Sequence, residues 1–191
     1  MNNDLSVFND LIVNNILVQF GMKNGKLFAV LKESGTETKL KKVEISDIPE
    51  NSVLIKLDGY EEPKTLFKSN KGQLKRCDYV LLTRVGNQGI MLFIEMKSQR
   101  FSDKDIEKQF KGALCVMDYC NAVLNRFHNK EDILSLFEKR FIVFYTLPIP
   151  KRPTRPAKSV NLPVNPPVRH NKPESPLKIA NPYNPFFKSL I

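Results

Sequence analysis

Histidine is scarce in this 191-residue chain, which has only His128 and His170, and none of its three cysteines falls in a CxxC spacing. None of those cysteines accompanies a histidine at zinc-site spacing either, so a zinc hydrolase or a histidine-centred nuclease has little support. Cys77, Cys115 and Cys120 read as reduced thiols of a cytosolic protein. Long apolar runs are also missing. The stretch from Leu11 to Phe20 is short and broken by Asn14, Asn15 and Gln19, too little for a membrane span. The start, Met1-Asn-Asn-Asp-Leu5, has no basic region of the kind that opens a signal peptide. We therefore expect a soluble, cytoplasmic protein with no membrane partner. No repeat long enough for a solenoid is present.

Acid is nearly absent from the last quarter. Residues 147–191 hold eight lysines or arginines against the single acid Glu174, which is +7 of the net +10, and 11 of the 13 prolines. Proline at that density excludes regular helices and central strands. The sequence therefore divides into a catalytic-sized domain, 1–147, and a basic, proline-rich extended tail, 148–191. The tail's basic part, with Lys151, Arg152 and Arg155, suits a nucleic-acid backbone or is simply a solvated segment. The final stretch, with Tyr183, Phe186, Phe187, Leu190 and Ile191, is apolar enough to dock on this domain or in a partner's groove.

What is present in the body is a hydrophobic hairpin with charge at its open end. Cys77 to Val85 is rich in β-branched and aromatic residues, Gly86 to Gly89 supplies a turn, and Ile90 to Lys97 is again apolar. Pairing Val85 with Ile90 across a four-residue turn sets Val80 opposite Glu95 and Asp78 beside Lys97. Side-chain alternation then gathers Asp78, Val80, Glu95 and Lys97 on one face, with Tyr79, Leu81, Ile94 and Met96 on the other. Buried charge needs compensation, from mutual pairing or from a cation. Mg²⁺ commonly takes one or two carboxylates, and Asp78 and Glu95, with the Met96 carbonyl, suit it. Mn²⁺ would fit the same set. Lys97 would orient an attacking water and stabilise the charge built up on a phosphodiester.

The flanking segments follow by the same rules. Ser102, with Asp103 and Asp105 behind it, starts a helix to about Phe127. Ile106, Phe110, Ala113, Met117, Cys120 and Leu124 form its apolar stripe, and Gln109 sits on the stripe's edge. An earlier helix is expected over about Asp4 to Phe20. Strands are expected over Gly25 to Val30, Lys39 to Ile45, Val53 to Leu57 and Phe141 to Leu147, and a short helix over Glu131 to Lys139. The loop from Gly59 to Gln73 is polar and basic. A strand, helix and strand in succession predict a partly parallel sheet. Lys75 and Arg76, next to Asp78, either grip a phosphate or form an ordinary basic lead-in to the strand.

An acid opening one strand, an acid-x-lysine triplet closing the next and a helix after it resemble the PD-(D/E)xK nuclease superfamily. The likeness covers about Gln73 to Phe127, with the strand from Phe141 beyond it. It implies an α/β (α+β) fold, a restriction-endonuclease-like mixed central sheet flanked by helices, and a Mg²⁺-dependent endonuclease. Asp78, Glu95 and Lys97 take the motif positions, while Gln109 matches a glutamine that several such families carry on the helix after the lysine. Cys77 replaces the motif's proline, and Ala113 replaces a tyrosine found in some relatives. Many relatives add a glutamate from the first helix. Here the expected first helix has only Asp4 and Asp10, which leaves the third acid unassigned among Glu33, Glu37, Glu44, Glu61 and Glu62. The resemblance further implies DNA as substrate, a restriction or antiphage defence role, sometimes with an ATPase partner, and a homodimer for paired cuts in duplex. The alternative is a non-catalytic module on the same fold that binds nucleic acid or a partner protein.

Overall fold

The computed structural model describes residues 5–33, 40–59, 67–68, 71–98, 101–147 and 170–191. Among these described residues eight strands run in chain order as β1 (Gly21–Lys23), β2 (Lys26–Lys32), β3 (Lys42–Ile48), β4 (Ser52–Lys56), β5 (Tyr79–Val85), β6 (Gln88–Lys97), β7 (Glu138–Tyr145) and β8 (Leu177–Ala180). They form two sheets, one ordered β1-β2-β3 and one ordered β4-β5-β6-β7-β8. The α-helices among the described residues are a single short turn, α1 (Val7–Leu11), and the long α2 (Asp103–His128). This is a mixed α+β architecture. Strand β6 pairs antiparallel with β5 and parallel with β7, and α2 makes the connection to β7, because a parallel neighbour needs a crossover.

The five-stranded sheet separates two cores. On one face, Val80, Leu82, Met91, Phe93, Phe141 and Val143 meet the α2 stripe of Ile106, Phe110, Ala113, Met117 and Leu124. On the other, Leu81, Leu92, Ile94, Ile142 and Phe144 meet Ala29, Leu31, Val43 and Ile45 of the small sheet, together with Phe187 and Leu190. The expectation of flanking helices thus holds on one side only, and a second sheet covers the other. Strands β5 and β6 are apolar on both faces because both faces are covered.

Several sequence expectations need correction. The predicted helix from Asp4 to Phe20 is one turn. Past Ile12 the chain makes a turn at Asn14–Ile16, Leu17 then bridges Ile55, and the Val18 N–H donates to the Leu54 carbonyl (2.8 Å). This segment covers the outer edge of β4, whose main-chain groups would otherwise lack partners. The hairpin turn has two residues, not four. Val85 pairs with Gln88, and Gly86 takes φ 60°, as a glycine does in the first central position of a II′ turn. Gly89 belongs to the strand, where it pairs with Arg84, and the Phe137 ring lies over it, so that an added Cβ would sit 2.8 Å from that ring.

The third correction concerns the tail. Residues 170–191 are part of the domain: β8 is the parallel edge partner of β7, the His170 carbonyl accepts from the Phe141 N–H (2.9 Å), and Phe187 and Leu190 are buried. Proline density did not prevent this, since Leu177 to Ala180 is free of proline and an edge strand needs only one bonded side. The basic residues Lys151, Arg152 and Arg155 lie outside the described residues. The short helix expected over Glu131 to Lys139 is a single 3-10 turn, Ile133–Leu136, after which β7 begins at Glu138. No helix among the described residues is long and apolar enough to cross a membrane.

Candidate active site

The site lies where β5 begins and β6 ends. The last ladder pair there is Tyr79 with Ile94, so Asp78, one step beyond, stands opposite Glu95. Its neighbour across the strands is thus the other acid, not Lys97, two residues from the expected register. A slip of two residues preserves side-chain parity, and Asp78, Glu95 and Lys97 share the face that α2 covers. The Met96 N–H donates to Asp78 Oδ2 (2.6 Å), closing the gap where the ladder stops. In an extended strand the N–H and carbonyl of one residue project to the same side, so the Met96 carbonyl also faces the Asp78 edge.

Glu95 has no exposed surface, and Lys97 keeps 28% of its side chain exposed. Lys97 Nζ pairs with Glu95 Oε1, and Gln109 Nε2, reaching in from α2, donates to the same oxygen (2.8 Å). Glu95 Oε2 has no hydrogen-bond partner among the described residues. Such an orphaned, buried carboxylate oxygen costs on the order of 1–3 kcal/mol or more. Burial, and then the facing Glu95 carboxylate, hold the Asp78 carboxyl well above its ordinary range, against the Met96 N–H and Lys97. Burial also raises Glu95, opposed by Lys97 and Gln109. The same burial, with Glu95 and Asp78 adding to it, pushes the Cys77 thiol well up, so Cys77 is an inert core group and no nucleophile.

Two crowded carboxylates, one with a free oxygen, constitute a site with surplus negative charge. Asp78, Glu95 and the Met96 carbonyl suit a hard divalent cation that needs one or two carboxylates. Among the described residues no group of three or more His, Cys, Asp or Glu comes together to hold a metal. The unassigned third acid is therefore not supplied by Asp10, Glu33 or Glu44. Asp10 is exposed on α1, Glu33 accepts from the Ser98 hydroxyl, and Glu44 lies on β3. Asp4, Glu37, Glu61 and Glu62 lie outside the described residues.

The basic lead-in is engaged with the protein itself. Lys75 Nζ pairs with Asp105 of α2 (2.9 Å), and Arg76 Nε donates to the Leu57 carbonyl (2.6 Å). Asp105 thus bonds away from the helix start, and Ser102, which does precede the helix as expected, makes no side-chain cap. These contacts fix the approach to Asp78 between α2 and the end of β4. Gly112 makes that approach possible, since a Cβ there would fall 1.6 Å from the Lys75 carbonyl oxygen. Sequence reasoning missed Asp58, which follows β4 in a 3-10 turn where the Leu57 N–H donates to the Asp78 carbonyl (2.8 Å). Its negative charge adds to the rise of Asp78. Its only sequence signal was an acid directly after a strand, uninformative until β4 is known to pair with β5. Compared with family models, curated proteins and solved structures, the chain gives no match.

Proposed function

We propose that this chain is a metal-dependent nuclease of the PD-(D/E)xK type, on a restriction-endonuclease-like version of its mixed sheet, with DNA as the expected substrate. The observation that carries the reading is the opposition of Asp78 and Glu95 at a sheet end, with Lys97 and Gln109 both on one Glu95 oxygen and the other oxygen left over. Asp78, Glu95 and the Met96 carbonyl would hold Mg²⁺ or Mn²⁺. A cation bound there would lower the pKa of a water and neutralise charge on the phosphate.

The chain's own groups do the rest. Gln109 fixes the Glu95 carboxylate in place, and the Met96 N–H fixes Asp78, so both carboxylates are set before substrate arrives. Lys97, partly exposed, is the cation that faces outward. It is placed to orient the attacking water and to stabilise the extra negative charge of a pentavalent phosphorus. A defence role, an ATPase partner and a homodimer for paired cuts follow from the resemblance alone and belong to this proposal.

The test is cleavage of plasmid and single-stranded DNA with Mg²⁺, Mn²⁺ or EDTA, comparing the intact protein with Lys97→Ala and Asp78→Ala. The expected result is metal-dependent cutting that falls by 10²-fold or more in each variant, with thermal melting showing that both fold. Cutting that persists in both would reject this site. No cutting by the intact protein would favour the binding-module alternative, in which Lys97 and Glu95 are only an internal ion pair.

A further inference from the structure

Next to Lys97 the same sheet end carries a pair of rings that catalysis leaves without a task. Tyr145 is the register partner of Lys97 across the parallel β6–β7 ladder, so both side chains emerge on the face that α2 covers. Phe101, on the approach to α2, meets Tyr145 edge to face, with centroids 5.5 Å apart and planes at 81°. Lys178 of β8 places its Nζ 5.8 Å from the Phe101 ring centre and pairs with Asp103 at the start of α2 (2.7 Å). The ring pair is thereby fixed from β7, β8 and α2 at once. Phe101 and Tyr145 nonetheless stay partly exposed, whereas Phe93, Phe110 and Phe141 of the adjoining core are fully buried.

Partly exposed rings held rigid one strand from the lysine supply what an unpaired base requires, an aromatic surface adjoining the place of its phosphate. A base inside a continuous duplex has both faces covered by its neighbours and cannot use such a surface. We propose that Phe101 and Tyr145 form a stacking shelf for an unpaired base next to the scissile phosphate, so that the chain prefers single-stranded nucleic acid, or single-stranded portions of branched molecules, over continuous duplex. Lys178 is a positioning residue for Phe101. The inference rests on the nuclease reading for what happens at Lys97, but not for binding.

Binding is measured in EDTA with single-stranded DNA, single-stranded RNA and a hairpin duplex, each carrying 2-aminopurine. The intact protein should bind a single strand at least tenfold more tightly than duplex and quench the 2-aminopurine. Phe101→Leu and Tyr145→Leu should each weaken single-strand binding by about tenfold, the fold-change of one lost stack, whereas Phe127→Leu, at the far end of α2, should not. Quenching with either sugar supports the shelf, and the tighter of the two identifies the substrate. Equal affinity for strand and duplex without quenching, or Leu variants within twofold of the intact protein, overturns it. Quenching by the intact protein does not depend on how the variants fold. A cleavage arm with Mg²⁺ separates the two proposals. Stacking without Lys97-dependent cutting keeps the shelf and removes the nuclease, whereas Lys97-dependent cutting without strand preference does the reverse.

Discussion

At the scale of residues, the two carboxyls that burial raises make the site titrate against the fold. A carboxyl whose folded pKa lies above its unfolded value of about 4 binds more protons when folded, so its contribution to stability is lost as pH rises from there through the folded value. Asp78→Asn removes one charge and keeps an oxygen for the Met96 N–H. In EDTA, the melting temperature of that variant minus that of the intact protein should be near zero at pH 4. It should grow with pH, reaching about 3 °C or more at pH 8 by the usual scaling for a chain of this size, and a difference that shrinks with pH would reverse our sign. Millimolar Mg²⁺ should raise the melting temperature of the intact protein, increasingly so at higher pH, and leave Asp78→Asn unmoved. Asp78, Glu95 and Lys97 were legible because strand alternation fixes which residues share a face. Asp78's true partner was not, because a two-residue and a four-residue turn preserve the same parity and differ only in register.

At the scale of elements, α2 matters through how closely it approaches the strand beneath it. Gly112→Ala would force the Lys75 carbonyl away from the helix, and overpacking of this kind costs about 1–3 kcal/mol. Because Lys75 to Cys77 lead directly into Asp78, we expect a loss of activity larger than the loss of stability accounts for. Equal melting and cleavage to the intact protein would show that the helix can shift freely. The α2 stripe was readable from its 3.6-residue period, and the structure buries every residue named for it. The cap was not: Asp105 turns to Lys75, a residue 30 positions away, and no local pattern encodes that choice. The early helix failed for a related reason, since the open edge of β4 outbid a weak local preference around Asn14 and Asn15.

At the scale of the whole molecule, the C-terminal stretch is structural. Phe187 and Leu190 sit in the core between the two sheets, and the Pro185 carbonyl accepts from Ser46 of β3 (3.0 Å). Phe187→Ala should cost about 3–5 kcal/mol, read as a lower denaturant midpoint with unchanged slope. Ending the chain at Leu147 should abolish cooperative unfolding altogether, rather than merely weaken nucleic-acid binding as a dispensable tail would. Composition marks a change after Thr146 but not its meaning, because averaging over prolines hides the four-residue run that β8 uses.

That late strand also governs how the molecule is made. Until Leu177 to Ala180 closes the long connection from Thr146, Phe141-Ile-Val-Phe-Tyr145 is an unpaired, uncharged edge of high β-propensity, the kind of segment that seeds association between chains. Closing a connection of that length is slow relative to forming the β5–β6 hairpin. Recovery of folded protein should therefore fall with rising concentration during refolding, with the loss traced to the speed of one short strand.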